Sequence, residues 1–285
     1  MALVVVAAVV GAVAIVLLAT RTTPLVSQRC TATVDGRGYD LEPDQAANAA
    51  LVTAVAVRRG LPARAATIAI ATAVQESGLR NLTFGDRDSL GLFQQRPSQG
   101  WGTPEQLVDP VYATNAFYDA LVEVDGYEGL EITVASDAVQ RSAFPDAVAD
   151  HELEGRAYAS ALTGNSPAAL VCRLRPVEEP ADADAAAQAV ADAVSAELGD
   201  VATATATATA AGADGTAVTV SVEGQPEPDR LAWAVAQWAV AGADRRDVVA
   251  VSVAGSTWRR DGDAGWVDDD GAAPLGGVVI EVGGR

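Results

Sequence analysis

Glu76 and Ser77 close an apolar stretch, within Ala73-Val74-Gln75-Glu76-Ser77-Gly78-Leu79-Arg80. A polar cluster follows, Gly85-Asp86-Arg87-Asp88-Ser89-Leu90-Gly91-Leu92-Phe93-Gln94-Gln95, with Trp101 beyond it. A glutamate at the end of an apolar helix, on the side shared with Ala69, Thr72 and Ala73, is partly desolvated and close to the negative end of the helix dipole. Both effects disfavour ionisation and raise its pKa. A carboxylic acid still protonated near neutral pH is what cleavage of a glycosidic bond needs as its general acid. On spacing alone, a charged helix-end residue facing solvent is the competing reading.

Hydrolysis of such a bond needs a second carboxylate. Asp86 and Asp88 are the candidates, ten and twelve residues after Glu76. Aspartates in a Gly-Asp-Arg-Asp-Ser loop also serve as turn formers or as partners of Arg87. The same pair lacks the further ligands at loop spacing that a divalent cation would require, so no metal and no cofactor are expected. His151, the single histidine, falls in a polar helical stretch and reads as a surface residue.

Glu-Ser at a helix end, then a loop, then Ser-x-Gly-Leu-x-Gln resembles the lytic transglycosylases of the lysozyme-like superfamily. Glu76 and Ser77 match the first motif; Ser89, Gly91, Leu92 and Gln94 match the second. The resemblance covers about residues 45–170. It is particularly close to the lytic transglycosylase-like domain of anchored actinobacterial envelope proteins, which share the run Gly85 to Trp101. It implies that Glu76 protonates the oxygen between MurNAc and GlcNAc, then takes a proton from the MurNAc C6 hydroxyl to give a 1,6-anhydro product. It assigns Ser77 to hold the glycan or the glutamate, Gln94 and Gln95 to contact sugar hydroxyls or amides, and Trp101 or Phe93 to stack on a pyranose. The family's later Ala-Tyr-Asn-Ala-Gly segment has its nearest counterpart in Ala138-Val139-Gln140-Arg141-Ser142-Ala143-Phe144-Pro145. No tyrosine stands there, and Gln140 or Arg141 takes its place.

The implied function is a murein-cleaving enzyme acting on peptidoglycan glycan strands. A non-catalytic glycan-binding scaffold, or an accessory subunit of an envelope secretion system, is the alternative.

The elements that would position these residues are legible in outline. Pro43 suits a first helical position, and the apolar face from Ala46 to Val57 runs until Gly60. A second helix from Pro62 carries Ile68, Ala69, Thr72, Ala73 and Glu76, and stops at Gly78. Residues 81–102 read as ordered loop with an extended piece at Leu90–Gln94. Helices are expected at roughly 104–124, 130–142 and 146–162.

After Cys172 the composition changes, and residues 175–183 read as an acidic linker. A helix near 184–198 follows. The Thr/Ala alternation from Val201 to Ala210 is either a low-complexity linker or, preferably, a strand. A turn at Gly212–Gly215 and a matching partner at Thr216–Val222 support the strand. A helix at 228–242 and strands at 248–253, 257–260, 266–268 and 278–282 complete a small α+β module, whose tryptophans read as core.

The bulk numbers set the compartment and exclude one partner class. With a net charge of −19 and no run of basic residues, the chain is not built for nucleic acid. Leu3 to Ala19 is an uninterrupted apolar run, near the lower end of the roughly 17–25 residues that span a bilayer. A retained anchor is preferred to a cleaved signal peptide, because no small-x-small site follows the run.

Cys30 and Cys172 bracket the α-rich stretch. They fit no compact metal spacing, and a disulfide is preferred to two independent buried thiols. The expected architecture is therefore multidomain. An N-terminal transmembrane helix (1–20) and a stalk (21–41) precede a mainly-α lysozyme-like domain (42–174), the linker, and a small C-terminal α+β domain (184–285) that faces an envelope protein partner. The expected location is the cell membrane, single-pass, with the bulk extracytoplasmic and the helix in the cytoplasmic membrane.

Overall fold

The structure, a computed structural model, describes residues 27–141, 145–177, 182–208, 216–262, 265–269, 273 and 276–283. A hairpin of β1 (Arg29–Val34) and β2 (Arg37–Leu41) leads into α1 (Pro43–Arg58) and α2 (Ala63–Ser77). After the long loop come α3 (Pro104–Leu107), α4 (Pro110–Val122), α5 (Ile132–Gln140), α6 (Glu152–Leu162) and β3 (Leu170–Arg173). The C-terminal half runs α7 (Ala183–Ala193), β4 (Thr203–Ala208), β5 (Thr216–Ser221), α8 (Pro228–Ala241), β6 (Val248–Val253), β7 (Ser256–Arg259), β8 (Trp266–Asp268) and β9 (Gly277–Val282).

α1 and α2 form the centre because their residues are almost all small and apolar. α1 buries every residue from Ala46 to Ala56, as a helix apolar all round must. α2 buries Ala65 to Ala73 and packs on α6. The crossing is close at Gly155, where a Cβ would stand 2.8 Å from the Thr67 carbonyl oxygen. A single helix expected over 104–124 is instead two. Asp109 and Pro110 begin a new one, with the Asp109 carboxylate accepting from the Val111 amide at 2.9 Å.

The stretch expected as a stalk is structured from Arg29 onward. β1 pairs antiparallel with both β2 and β3, and the disulfide Cys30–Cys172 joins neighbours on that sheet. The second sheet has the order β4-β5-β9-β6-β7-β8, antiparallel throughout. The Thr/Ala alternation does form a strand, in register from Thr203 opposite Ser221 to Ala208 opposite Thr216. The expected turn at 212–215 lies outside the described residues, as does part of the expected linker, 178–181.

Two expectations need correction. The multidomain architecture gives way to mixed helices and sheets around one continuous core, running from Cys30 to Val282. Buried side chains stitch the halves together. Gln237 of α8 accepts from the Leu170 amide at 2.8 Å and donates to the Ala161 carbonyl at 2.7 Å, and the Trp258 indole donates to the Cys172 carbonyl at 3.2 Å.

The single-pass membrane reading is also overturned. Among the described residues no helix is long and apolar enough to cross a membrane. The longest, α1, has 16 residues and so spans only about 24 Å, short of a hydrocarbon core of about 30 Å. The expected anchor over 1–20 lies outside the described residues.

Candidate active site

Glu76 is the penultimate residue of α2. The helix ends in the way its sequence predicts, at Gly78 with φ 61°, and Leu79 continues in the left-handed region at φ 55°. The Gly78 amide donates to the Val74 carbonyl at 2.8 Å and the Leu79 amide to the Ala73 carbonyl at 3.0 Å, which caps these two carbonyls of the last turns. The carbonyls of the turn itself are caught by α1. Gln45 donates to Gly78 O at 2.8 Å and Asn48 to Leu79 O at 2.6 Å.

The Glu76 carboxyl is half-buried and has no hydrogen-bond or ion-pair partner among the described residues. Burial pushes its pKa above the ordinary glutamate value, because the charged form loses hydration and gains nothing in return.

The glycine-rich loop is fastened to this helix end. Ser77 Oγ lies 2.7 Å from the Leu92 carbonyl and 3.1 Å from that of Ala73, and it accepts the Arg80 amide at 3.1 Å. Gly91 is required as glycine. It holds φ 76°, and a Cβ there would stand 2.1 Å from the Leu107 carbonyl oxygen. Its amide donates to Leu82 O at 2.7 Å, and Leu90 exchanges backbone bonds with Gln95 at 2.9 and 3.1 Å. Gln140, on α5, donates to the Phe93 carbonyl at 2.6 Å. Ser77, Leu92, Phe93, Gln94 and Gln140 thus belong to one bonded frame, with Glu76 next to it in sequence.

Several expected contact residues are committed to that frame. Leu92 and Phe93 are fully buried, and the Phe93 ring stacks on Phe117 at 4.5 Å. Gln95 is buried, with Nε2 3.5 Å from Ala113 O, and Ser89 on the same loop is buried too. Gln94, at φ 47°, turns its amide to the Gly91 and Phe84 carbonyls at 3.2 and 3.4 Å. Trp101 is half-buried against the core, and its carbonyl accepts the Tyr112 hydroxyl at 3.3 Å.

Neither aspartate pairs with Glu76. Asp88 accepts from Arg96 Nε at 2.7 Å and the Ser98 amide at 2.8 Å, and these bonds hold its carboxyl well below the usual range. The Asp86 side chain is 93% exposed, 3.9 Å from Arg87 Nε. His151 is half-exposed and lies 3.8 Å from Glu154, a second carboxyl that burial raises and the imidazole counteracts.

Phe84, Ser136, Gln45 and Asn48 also contribute, and no motif in the sequence singles them out. Phe84, 71% exposed, is the most exposed of the large apolar side chains described. Thr72 and Ser136 share a buried hydroxyl contact at 2.9 Å that ties α2 to α5. Gln45 and Asn48, one turn apart, are polar residues in an apolar helix, and that anomaly is the signal that marks them.

No protein-family model matches the chain, and neither does any curated protein.

Proposed function

We propose that the chain is a lytic transglycosylase, cleaving the MurNAc–GlcNAc bond of peptidoglycan with Glu76 as its single acid and base. The observation that carries this reading is the half-buried, unpartnered Glu76 carboxyl, raised by desolvation and next in sequence to Ser77, whose hydroxyl meets the Leu92 carbonyl. Protonated Glu76 gives its proton to the glycosidic oxygen, and the C1–O bond breaks with the electron pair leaving on GlcNAc. The resulting carboxylate takes the proton of the MurNAc C6 hydroxyl as that oxygen bonds to C1. The acid is regenerated, no water is consumed, and the product ends in 1,6-anhydroMurNAc.

The commitments of the two aspartates favour this route over hydrolysis. Asp88 is kept ionised and occupied by Arg96 and the Ser98 amide, and Asp86 projects into solvent. With Phe93 buried, the exposed ring of Phe84 is the better platform for a pyranose face. Its backbone is held by Gln94 while the ring faces water.

One observation favours a binding-only reading, as a glycan scaffold or an accessory subunit of an envelope secretion system. Gln140, where the resembled family has its tyrosine, spends its amide on the Phe93 carbonyl. Mass spectrometry of the muropeptides released from purified peptidoglycan by the full-length chain separates the readings. Anhydro ends support the transglycosylase, and reducing ends mean hydrolysis. Protein that sediments with the wall but releases nothing is a binding module.

A further inference from the structure

We infer that the C-terminal half of the chain positions Glu76, through Arg245 and Asn48. The inference rests on Glu76 being the acting carboxyl, and it assigns a role to the C-terminal residues that the chemistry alone leaves without one.

The contacts form an unbroken line. Arg245 Nη1 donates to Asn48 Oδ1 at 2.9 Å, its Nη2 to the Asp44 carbonyl at 2.9 Å, and its Nε to the Asp44 carboxylate at 3.0 Å. Asn48, only 3% exposed, passes the line on by donating through Nδ2 to the Leu79 carbonyl at 2.6 Å. Leu79 is the third residue after Glu76 and holds a left-handed backbone, φ 55°, that a leucine adopts only when its surroundings impose it.

An asparagine amide has one acceptor and one donor end and can turn over. The guanidinium at Oδ1 decides which end meets the Leu79 carbonyl. Without it that orientation is held by the Leu79 carbonyl alone, and the turn after Glu76 keeps a weaker bond from Asn48 beside the one that Gln45 gives Gly78 O.

Arg245 is itself held in place. Its neighbour Asp244 pairs with Arg260 Nη2 at 2.8 Å. On the other side, Arg246 pairs with buried Glu197 at 2.5 Å and lies over the Trp238 ring, 4.4 Å from its centroid. The segment after α8 is therefore pinned on both flanks and delivers the middle guanidinium to α1. Arg245 does not touch Glu76 and reaches it only through Asp44 and Asn48 of α1. It is a positioning residue.

The test compares Arg245→Ala with Arg230→Ala in the full-length chain. Arg230 also bridges the halves, donating to the Thr163 carbonyl at 2.7 Å, but it makes no contact with the turn after Glu76. Arg245→Ala is expected to lower kcat on peptidoglycan about tenfold or more with KM kept, since small displacements of a catalytic group are expensive in rate. The pH at which kcat falls should move with it, and Arg245→Lys, which retains one donor for Asn48, should recover part of the loss. Arg230→Ala should change neither.

The titration of the Glu76 carboxyl, followed by carbon NMR in the wild type and Arg245→Ala, is an activity-free readout and should show different midpoints. Equal kcat losses for the two alanine variants, with unmoved pH profiles and one common midpoint, would overturn the inference. A wild type that cleaves nothing removes the proposed activity. The NMR comparison then decides alone, a shared midpoint overturning the positioning role and separate midpoints supporting it.

Discussion

The Ser77 hydroxyl lies 2.7 Å from the carbonyl oxygen of Leu92 and fastens the end of the glutamate-bearing helix to the glycine-rich loop. Two motifs separated in sequence thereby become one rigid object. The Glu76 carboxyl, next to that clamp in sequence, is half-buried and makes no ion pair among the described residues. Replacing Ser77 by Ala leaves the Leu92 carbonyl without its donor, at a cost of about 1–3 kcal/mol. Urea unfolding of Ser77→Ala should show that loss, and an unchanged midpoint would mean that the clamp contributes no net stability.

The raised pKa of Glu76 has a defined sign in stability. Between the unfolded and folded pKa values the native state binds more protons than the unfolded state, so stability falls as pH rises through that window. Glu76→Gln removes the penalty. The variant should be more stable than the wild type above the folded pKa and indistinguishable from it below the ordinary glutamate range. Asp88 has the opposite sign. Its contribution is complete above the ordinary aspartate range and disappears as pH falls below it. Denaturation curves across pH for the two single variants, Glu76→Gln and Asp88→Asn, check both directions.

Glu197 is the most buried acid among the described residues, accepting from the Trp238 indole at 2.6 Å and from Arg246 at 2.5 Å. Glu197→Ala strands the Arg246 guanidinium in an apolar setting. The expected loss is about 3–5 kcal/mol, read as a lowered urea midpoint. A loss below 1 kcal/mol would mean that water reaches the pair.

The disulfide Cys30–Cys172 links residues 142 apart and anchors the hairpin to β3. Cys30→Ser with Cys172→Ser should cost about 2–5 kcal/mol in unfolding free energy. A reduced wild type that unfolds at the same denaturant concentration as the oxidised one would contradict this.

Phe84→Ala removes the exposed ring while leaving the backbone bond from Gln94. Sedimentation with purified peptidoglycan, in a Glu76→Gln background that prevents turnover, should weaken by roughly 2–10-fold for Phe84→Ala and be retained for Phe84→Trp. Equal binding of all three proteins would remove the ring from the glycan platform.

The local signals were legible. Gly78 stops α2, Pro43 starts α1, and Thr/Ala alternation with a matching partner makes β4 and β5, because each depends on neighbours within a few residues. The disulfide was also readable from two cysteines that bracket one stretch.

Other features lay in tertiary pairing and could not be read locally. The hairpin over residues 29–41 exists because β3, well over a hundred residues later, completes its sheet. Phe93 was expected at the sugar, but the pairing of Leu90 with Gln95 turns its ring onto Phe117. Asp88 was open to a second catalytic role until Arg96 folded back on it. The Arg245–Asn48 line spans almost two hundred residues, and only an unexplained polar position in an apolar helix hinted at it.

The central claim is that the Glu76 carboxyl is the acid and base of glycan cleavage. Purified peptidoglycan incubated with the full-length wild type, and in parallel with Glu76→Gln, tests it most directly when the released muropeptides are identified by mass. The wild type should release 1,6-anhydro products, and Glu76→Gln, with fold and wall binding intact, should release none. Anhydro release that persists at the wild-type rate in Glu76→Gln would contradict the claim.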